Sequence, residues 1–149
     1  MHPFKLVGLG GAFDHLHEGH KQLLQMAFRL GDQVAIGLSS EKLLQNKSYK
    51  EKIQSYEERS SHLKQYIEDT LHRNPQEYQI LKLDDPFGPA ITVDALEAHV
   101  SSEETYKGAL MINELRIKNG LNPLVLVIIP LIMGNDGQKM SSTTIRASL

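Results

Sequence analysis

Gly10-Gly11-Ala12-Phe13-Asp14-His15-Leu16-His17-Glu18-Gly19-His20 stands between an apolar run, Phe4 to Leu9, and a helical pattern from Lys21 to Leu30. A glycine-rich turn between a strand and a helix is where backbone N–H groups gather around a phosphate. His17 and His20 stand three apart across Gly19 and bring two further donors to the same anion pocket. A second polar cluster, Lys139-Met140-Ser141-Ser142-Thr143-Thr144, lies near the other end of the chain. Together the two stretches predict nucleotide chemistry at a phosphorus centre.

Outward from that turn, short apolar runs alternate with longer helical patterns. Strands are expected at Phe4–Gly10, Gln33–Leu38, Tyr78–Leu83, about Ala95–Val100, and Leu124–Ile129. The unbroken run Leu124 to Ile129 reads as a strand covered on both faces. Helices are expected at Gly19–Leu30, Tyr56–His72 and Glu103–Lys118. In the second, Leu63, Tyr66, Ile67 and Leu71 form one apolar face; in the third, Leu110, Met111, Leu115 and Ile117 form the expected buried stripe. Asn119-Gly120 is the expected stop of that helix. This alternation predicts an α/β fold, a Rossmann-like parallel five-stranded sheet sandwiched by helices, as one domain over residues 1–149. The charged stretch Ser40 to Ser55 is expected to be a mobile helix-and-loop region, and Asp84 to Pro89 a turn fixed by two prolines. Loops that follow the carboxyl ends of strands build the ligand crevice of such a sheet. The glycine–histidine turn, the lysine-bearing loop, the Pro-Phe-Gly-Pro loop and the distal serine–threonine cluster are all expected to converge there.

The composition sets the limits. With 149 residues, 40% hydrophobic and 23% charged, the chain is long enough for one core. A net charge of −2 offers no broad surface for nucleic acid. There is no cysteine, which excludes disulfides, thiolate metal sites and a catalytic thiol. The longest apolar run, Leu124 to Met133, is too short to span a bilayer. A cytoplasmic setting without membrane attachment is the expectation.

The familiar fingerprints fail here for stated reasons. No G-x-x-x-x-G-K-[ST] occurs, and Gly8-Leu9-Gly10-Gly11-Ala12-Phe13 places Phe13 where a dinucleotide fingerprint needs glycine. His17-Glu18-Gly19-His20 has i, i+3 spacing, not the i, i+4 of a zinc-protease helix. No metal ligated by the protein is expected. The distal serines and threonines could be a plain helix cap. Residues Gly10 to His20 nevertheless resemble the H-x-G-H signature of the nucleotidyltransferase superfamily, G-T-F-D-x-x-H-x-G-H, with Ala12 where threonine is usual. Lys139 to Arg146 resembles the K-M-S-K-S or I-S-S-T-x-x-R element of the same superfamily.

The middle of the chain points to one branch. Asp85-Pro86-Phe87-Gly88-Pro89-Ala90-Ile91-Thr92 and Ser102-Glu103-Glu104-Thr105, with Gly108, Asn113 and Arg116, resemble the archaeal and eukaryotic-type phosphopantetheine adenylyltransferases. The resemblance implies AMP transfer from ATP to 4′-phosphopantetheine, giving dephospho-coenzyme A and pyrophosphate in coenzyme A biosynthesis. It assigns the ATP phosphates to His17, His20 and the turn Gly10, Gly11, Ala12 and Phe13. Ser102, Glu103 and Thr105 fall to the adenosine, and Ser141, Ser142 and Thr143 to the distal phosphates. Lys50, with Lys47, would neutralise the acceptor phosphate, Lys50 counting among the catalytic residues, and Phe87 would line the pantetheine arm. Arg59 is expected to brace the charged loop, while Asp14 is left between orienting the turn, holding a hydrated metal and capping. Mg²⁺ is expected with ATP, and coenzyme A as a further ligand of the product kind. The alternative acceptors are nicotinamide mononucleotide, FMN or glycerol phosphate with adenylyl or cytidylyl transfer; a non-catalytic nucleotide-binding regulator is the other reading. No covalent nucleophile is needed, since the attacking phosphate is already ionised at neutral pH.

Overall fold

In the computed structural model, which describes residues 2–45 and 52–130, the elements alternate as the sequence predicts. They are β1 (Phe4–Gly11), α1 (Glu18–Leu30), β2 (Gly31–Ser39), α2 (Tyr56–Gln65), β3 (Tyr78–Leu83), β4 (Ala98–Ser102), α3 (Tyr106–Lys118) and β5 (Val125–Ile129). All neighbouring strands run parallel in the order β3-β2-β1-β4-β5. The order reverses at β1 and β4, so the crevice at their carboxyl ends is the topological switch point.

The apolar periodicity explains the first layer. Leu24, Ala27 and Phe28 of α1 and Leu63 of α2 are buried against Val7, Leu9, Val34, Ile36 and Leu38 of the sheet. Each large side chain so buried stabilises the fold by roughly 1.5–3 kcal/mol. Ser55 and Glu58 start α2 with a reciprocal capping box. After Gln65 the helix widens into a π-helical turn, Tyr66–Thr70, which still buries Tyr66 and Ile67. Among the described residues no helix is long and apolar enough to cross a membrane.

Three expectations change on the second face. In α3 the buried residues are Ala109, Ile112 and Arg116, while Leu110, Met111 and Ile117 are exposed. The helix is turned by Arg116, whose Nη1 donates to Ala90 O at 2.7 Å and Val93 O at 2.9 Å while its Nε donates to Asn122 O at 2.8 Å. Satisfying three main-chain carbonyls outweighs hiding three apolar side chains that can remain half in water. The run Leu124 to Ile129 is an edge strand with Val125 and Ile128 exposed, not one covered on both faces. β4 begins at Ala98 and runs on to Ser102, so Ser102 belongs to the strand.

Replacing Arg116 by Leu leaves those carbonyls without donors and is expected to cost about 3 kcal/mol. The urea midpoint should fall accordingly; an unchanged midpoint would show that the α3 orientation does not depend on this side chain.

Candidate active site

The glycine–histidine turn ends in an unusual helix cap. His17 is the N-cap of α1, with extended backbone, and its Nδ1 accepts the Gly19 N–H at 3.0 Å. His20 Nδ1 in turn accepts the His17 N–H at 3.3 Å. This is a capping box in which two imidazoles take the places usually held by serine and glutamate. A ring nitrogen that accepts a hydrogen bond carries no proton, so in the neutral form each ring holds its proton on Nε2. The rings stack with centroids 3.7 Å apart, and buried Phe13 packs against His20 at 5.3 Å. Burial pushes the His17 imidazole down to about 4, opposed only in part by the charge of Glu18. Its Nε2 is buried and meets no hydrogen-bond partner among the described residues. A neutral N–H donor is thus held at the positive end of α1 without an acceptor. Such a donor costs roughly 1–3 kcal/mol until something accepts from it.

The turn is braced from the α2 side. Arg59 Nη1 donates to Ala12 O at 3.0 Å and to Ser39 O at 2.7 Å, and its Nε donates to Gln54 O at 3.0 Å. Asp14 Oδ1 accepts the Gln54 N–H at 2.8 Å, while Gln54 Oε1 accepts the His15 N–H at 2.9 Å. Asp14 is therefore a buried anchor of the turn. Phe13 and His15, both with φ of 47°, are the strained residues that this bracing holds in the left-handed region.

At the carboxyl ends of β1, β2 and β4 lies a crevice of about 340 Å³, lined by Gly10, Gly11, Ser39, Ser101, Thr105 and Gly108 among others. Phe87 also reaches it. Asp85 Oδ1 holds that loop in shape by accepting the Phe87 N–H at 2.9 Å and the Gly88 N–H at 2.7 Å. Gly88 has a φ of 52°, and a Cβ there would collide with Leu83, so only glycine serves. Thr105 Oγ1 accepts the Ser102 N–H at 3.2 Å, which ties the end of β4 to the start of α3.

Of the expected ATP contacts, Gly10, Gly11 and Thr105 meet in this crevice. Ser102 is buried behind it, and Glu103 is exposed, its N–H donating to Ile129 O. Ala12 contributes its carbonyl to Arg59, while His17 lines a second hollow of about 580 Å³ with Lys21, Gln54, His62 and Tyr66. Lys47, Lys50, Ser141, Ser142 and Thr143 lie outside the described residues. Ser39 and Ser101 were not expected in the crevice; the alternation of polar and apolar residues along β4 was the signal for Ser101.

Comparison with known proteins defines the class. The cytidylyltransferase-like family model matches residues 9–148. The chain is 48% identical over 149 residues to the phosphopantetheine adenylyltransferase of Pyrococcus abyssi, covering all of this chain and 93% of that protein. It is 37% identical over 151 residues to the Saccharomyces cerevisiae protein of the same name, covering 98% of this chain and 49% of that one. A protein of unknown function from Archaeoglobus fulgidus has a TM-score of 0.73 at 33% identity, over 85% of this chain and 99% of its own. The tyrosyl-tRNA synthetase of the same organism shares the fold, with a TM-score of 0.69 at 15% identity over 95% of this chain and 60% of its own. The chain belongs to the cytidylyltransferase-like family and, within it, to the phosphopantetheine adenylyltransferases.

The cap makes a prediction for the ligand-free protein. His17 titrates near 6.5 when unfolded and near 4 when folded, so the unfolded chain binds more protons between those values. Its contribution to stability is complete above about pH 6.5 and is lost as pH falls toward 4. In His17→Asn, Oδ1 can still cap Gly19 but this titration is gone. Urea midpoints measured across that range should fall less steeply in the variant, whereas identical profiles would contradict the buried neutral ring.

Proposed function

We infer that this chain transfers AMP from ATP to 4′-phosphopantetheine, releasing pyrophosphate and forming dephospho-coenzyme A. The observation that carries the reading is the paired Nε2–H donors of His17 and His20 at the start of α1, on the turn whose glycines enter the switch-point crevice. An oxygen of the acceptor phosphate attacks the α-phosphorus of ATP, a P–O bond forms, and the bond to the β-phosphate oxygen breaks. No proton need be removed from the attacking oxygen. What remains for the protein is to hold two polyanions in line and to stabilise charge moving onto the leaving pyrophosphate.

The Nε2–H groups of both histidines suit that task, and burial keeps His17 uncharged. They donate hydrogen bonds whose strength grows as charge develops, and each such donor is worth on the order of 3 kcal/mol in the transition state. The N–H groups of the first turn of α1 add the field of the helix end. Thr105 and Ser101 take the adenosine side of the crevice, and Lys50 with Lys47 the acceptor phosphate. Among the described residues no three His, Asp or Glu side chains converge as metal ligands. Mg²⁺ comes as part of the substrate, Mg·ATP, held by its phosphates.

Pyrophosphate release from Mg·ATP should occur with 4′-phosphopantetheine and not with nicotinamide mononucleotide or FMN, with dephospho-coenzyme A appearing by mass. Release with another acceptor alone would overturn the assignment of substrate. His20→Ala should remain folded and lose at least about a hundredfold in kcat; near-normal turnover would remove the histidines from the chemistry.

A further inference from the structure

Gly108 is the third residue of α3 and lines the crevice. Its backbone is ordinary right-handed helix, which any residue adopts. A Cβ added there would meet nothing within 4 Å. Other glycines of the chain have visible reasons. Gly8, Gly31 and Gly37 are hemmed in by Leu96, Val7 and Leu83, while Gly88 and Gly120 have positive φ. Gly108 has neither reason, and glycine weakens a helix relative to alanine. A position where the fold would gain from a methyl group, and carries none, is one that something outside the fold approaches closely.

The neighbouring groups say what approaches. Thr105, Gly108, Ala109 and Ile112 fall at helical spacing and form the strip of α3 that borders the crevice, so a gap without side chain lies between Thr105 and apolar Ile112. Phe87 adds an aromatic ring to the lining and also borders a cavity behind it. Among the described residues no Asp, Glu, Lys or Arg lines the crevice. It therefore suits an uncharged part of a ligand, with the phosphates left to the helix end at His17 and His20. Ser101 Oγ is buried in the same lining without a hydrogen-bond partner among the described residues, as is His99 Nδ1 two residues before it. An unmet hydroxyl at that depth is a cost that a ligand can relieve. A nucleobase, with flat apolar faces and a polar edge, meets both conditions.

We propose that the bare α-carbon of Gly108 seats the base of the nucleotide, that its missing side chain sets how closely the ring approaches α3, and that Ser101 Oγ bonds the edge of that ring. This rests on the reading that places the adenosine of ATP beside Thr105 and Ser101. A methyl group at position 108 would take space that the ring needs, and the room of one methyl group in a binding slot is worth about tenfold or more in discrimination. Position 108 thus holds a residue that is worse for the helix and better for the ligand.

The test is calorimetric titration of the wild type, Gly108→Ala and Ser101→Ala with Mg·ATP, together with their urea midpoints and their KM for 4′-phosphopantetheine. Gly108→Ala should raise the urea midpoint and weaken Mg·ATP binding about tenfold. Its KM for 4′-phosphopantetheine should stay within about twofold, as expected of a residue that meets only the nucleotide. Ser101→Ala should weaken Mg·ATP severalfold without lowering the midpoint, since the hydroxyl it removes has no partner in the free protein. Unchanged affinity for Mg·ATP in either variant would overturn the proposal. So would a KM for 4′-phosphopantetheine that rises as much as ATP affinity falls, or a lower midpoint in Gly108→Ala, which would show that the fold itself requires the glycine. A wild type that binds no Mg·ATP would instead overturn the functional reading beneath it.

Discussion

The Arg59 guanidinium donates to main-chain carbonyls from three parts of the chain: Ala12 in the phosphate turn, Ser39 at the end of β2, and Gln54 ahead of α2. Burying a charge costs several kcal/mol unless it is well bonded and opposed by another. Burial does lower the Arg59 pKa from its usual value, and the charge of Asp14 opposes that shift. Asp14 in turn accepts the Gln54 N–H, so the anion that neutralises Arg59 also closes the loop around it. The turn cannot relax without breaking this arrangement, and it therefore keeps Phe13 and His15 in left-handed conformations. Everything chemical in the molecule depends on that fixed shape.

From the shape follows the protonation state. Once His17 caps α1 and His20 closes the box, both Nδ1 atoms are committed as acceptors. The protons sit on Nε2, and burial keeps His17 uncharged at neutral pH. A charged pair would bind ground-state phosphates more tightly, but two cations 3.7 Å apart would repel each other when the site is empty. An uncharged His17 avoids that cost, and its donor still strengthens as charge moves onto the leaving group. Among the described residues the cavity behind Phe87 is likewise lined without a charged side chain.

Much of this was legible in the sequence. The strand–turn–helix at Gly10 to His20, the parallel sheet and the bracing by Arg59 follow from glycine placement, apolar runs and a charge next to a helix start. The buried face of α3 was not legible, because hydropathy ranks Leu110 and Met111 above Arg116 and takes no account of carbonyls awaiting a donor. The exposure of β5 depends on its place at the sheet edge, which its own residues do not encode. The alternation along β4 marks His99 and Ser101 as sharing one face, but only the pairing shows Gly8 beside His99.

Nitrogen-15 NMR of the imidazoles, read through their long-range couplings to ring protons at pH 7, tests the central claim most directly. Ligand-free His17 is expected to be neutral with its proton on Nε2, the neutral form of His20 to share this tautomer, and the Nε2 signals to shift when Mg·ATP is added. A protonated His17, or a proton on Nδ1 of either neutral ring, would contradict the hydrogen bonds from which the site is built.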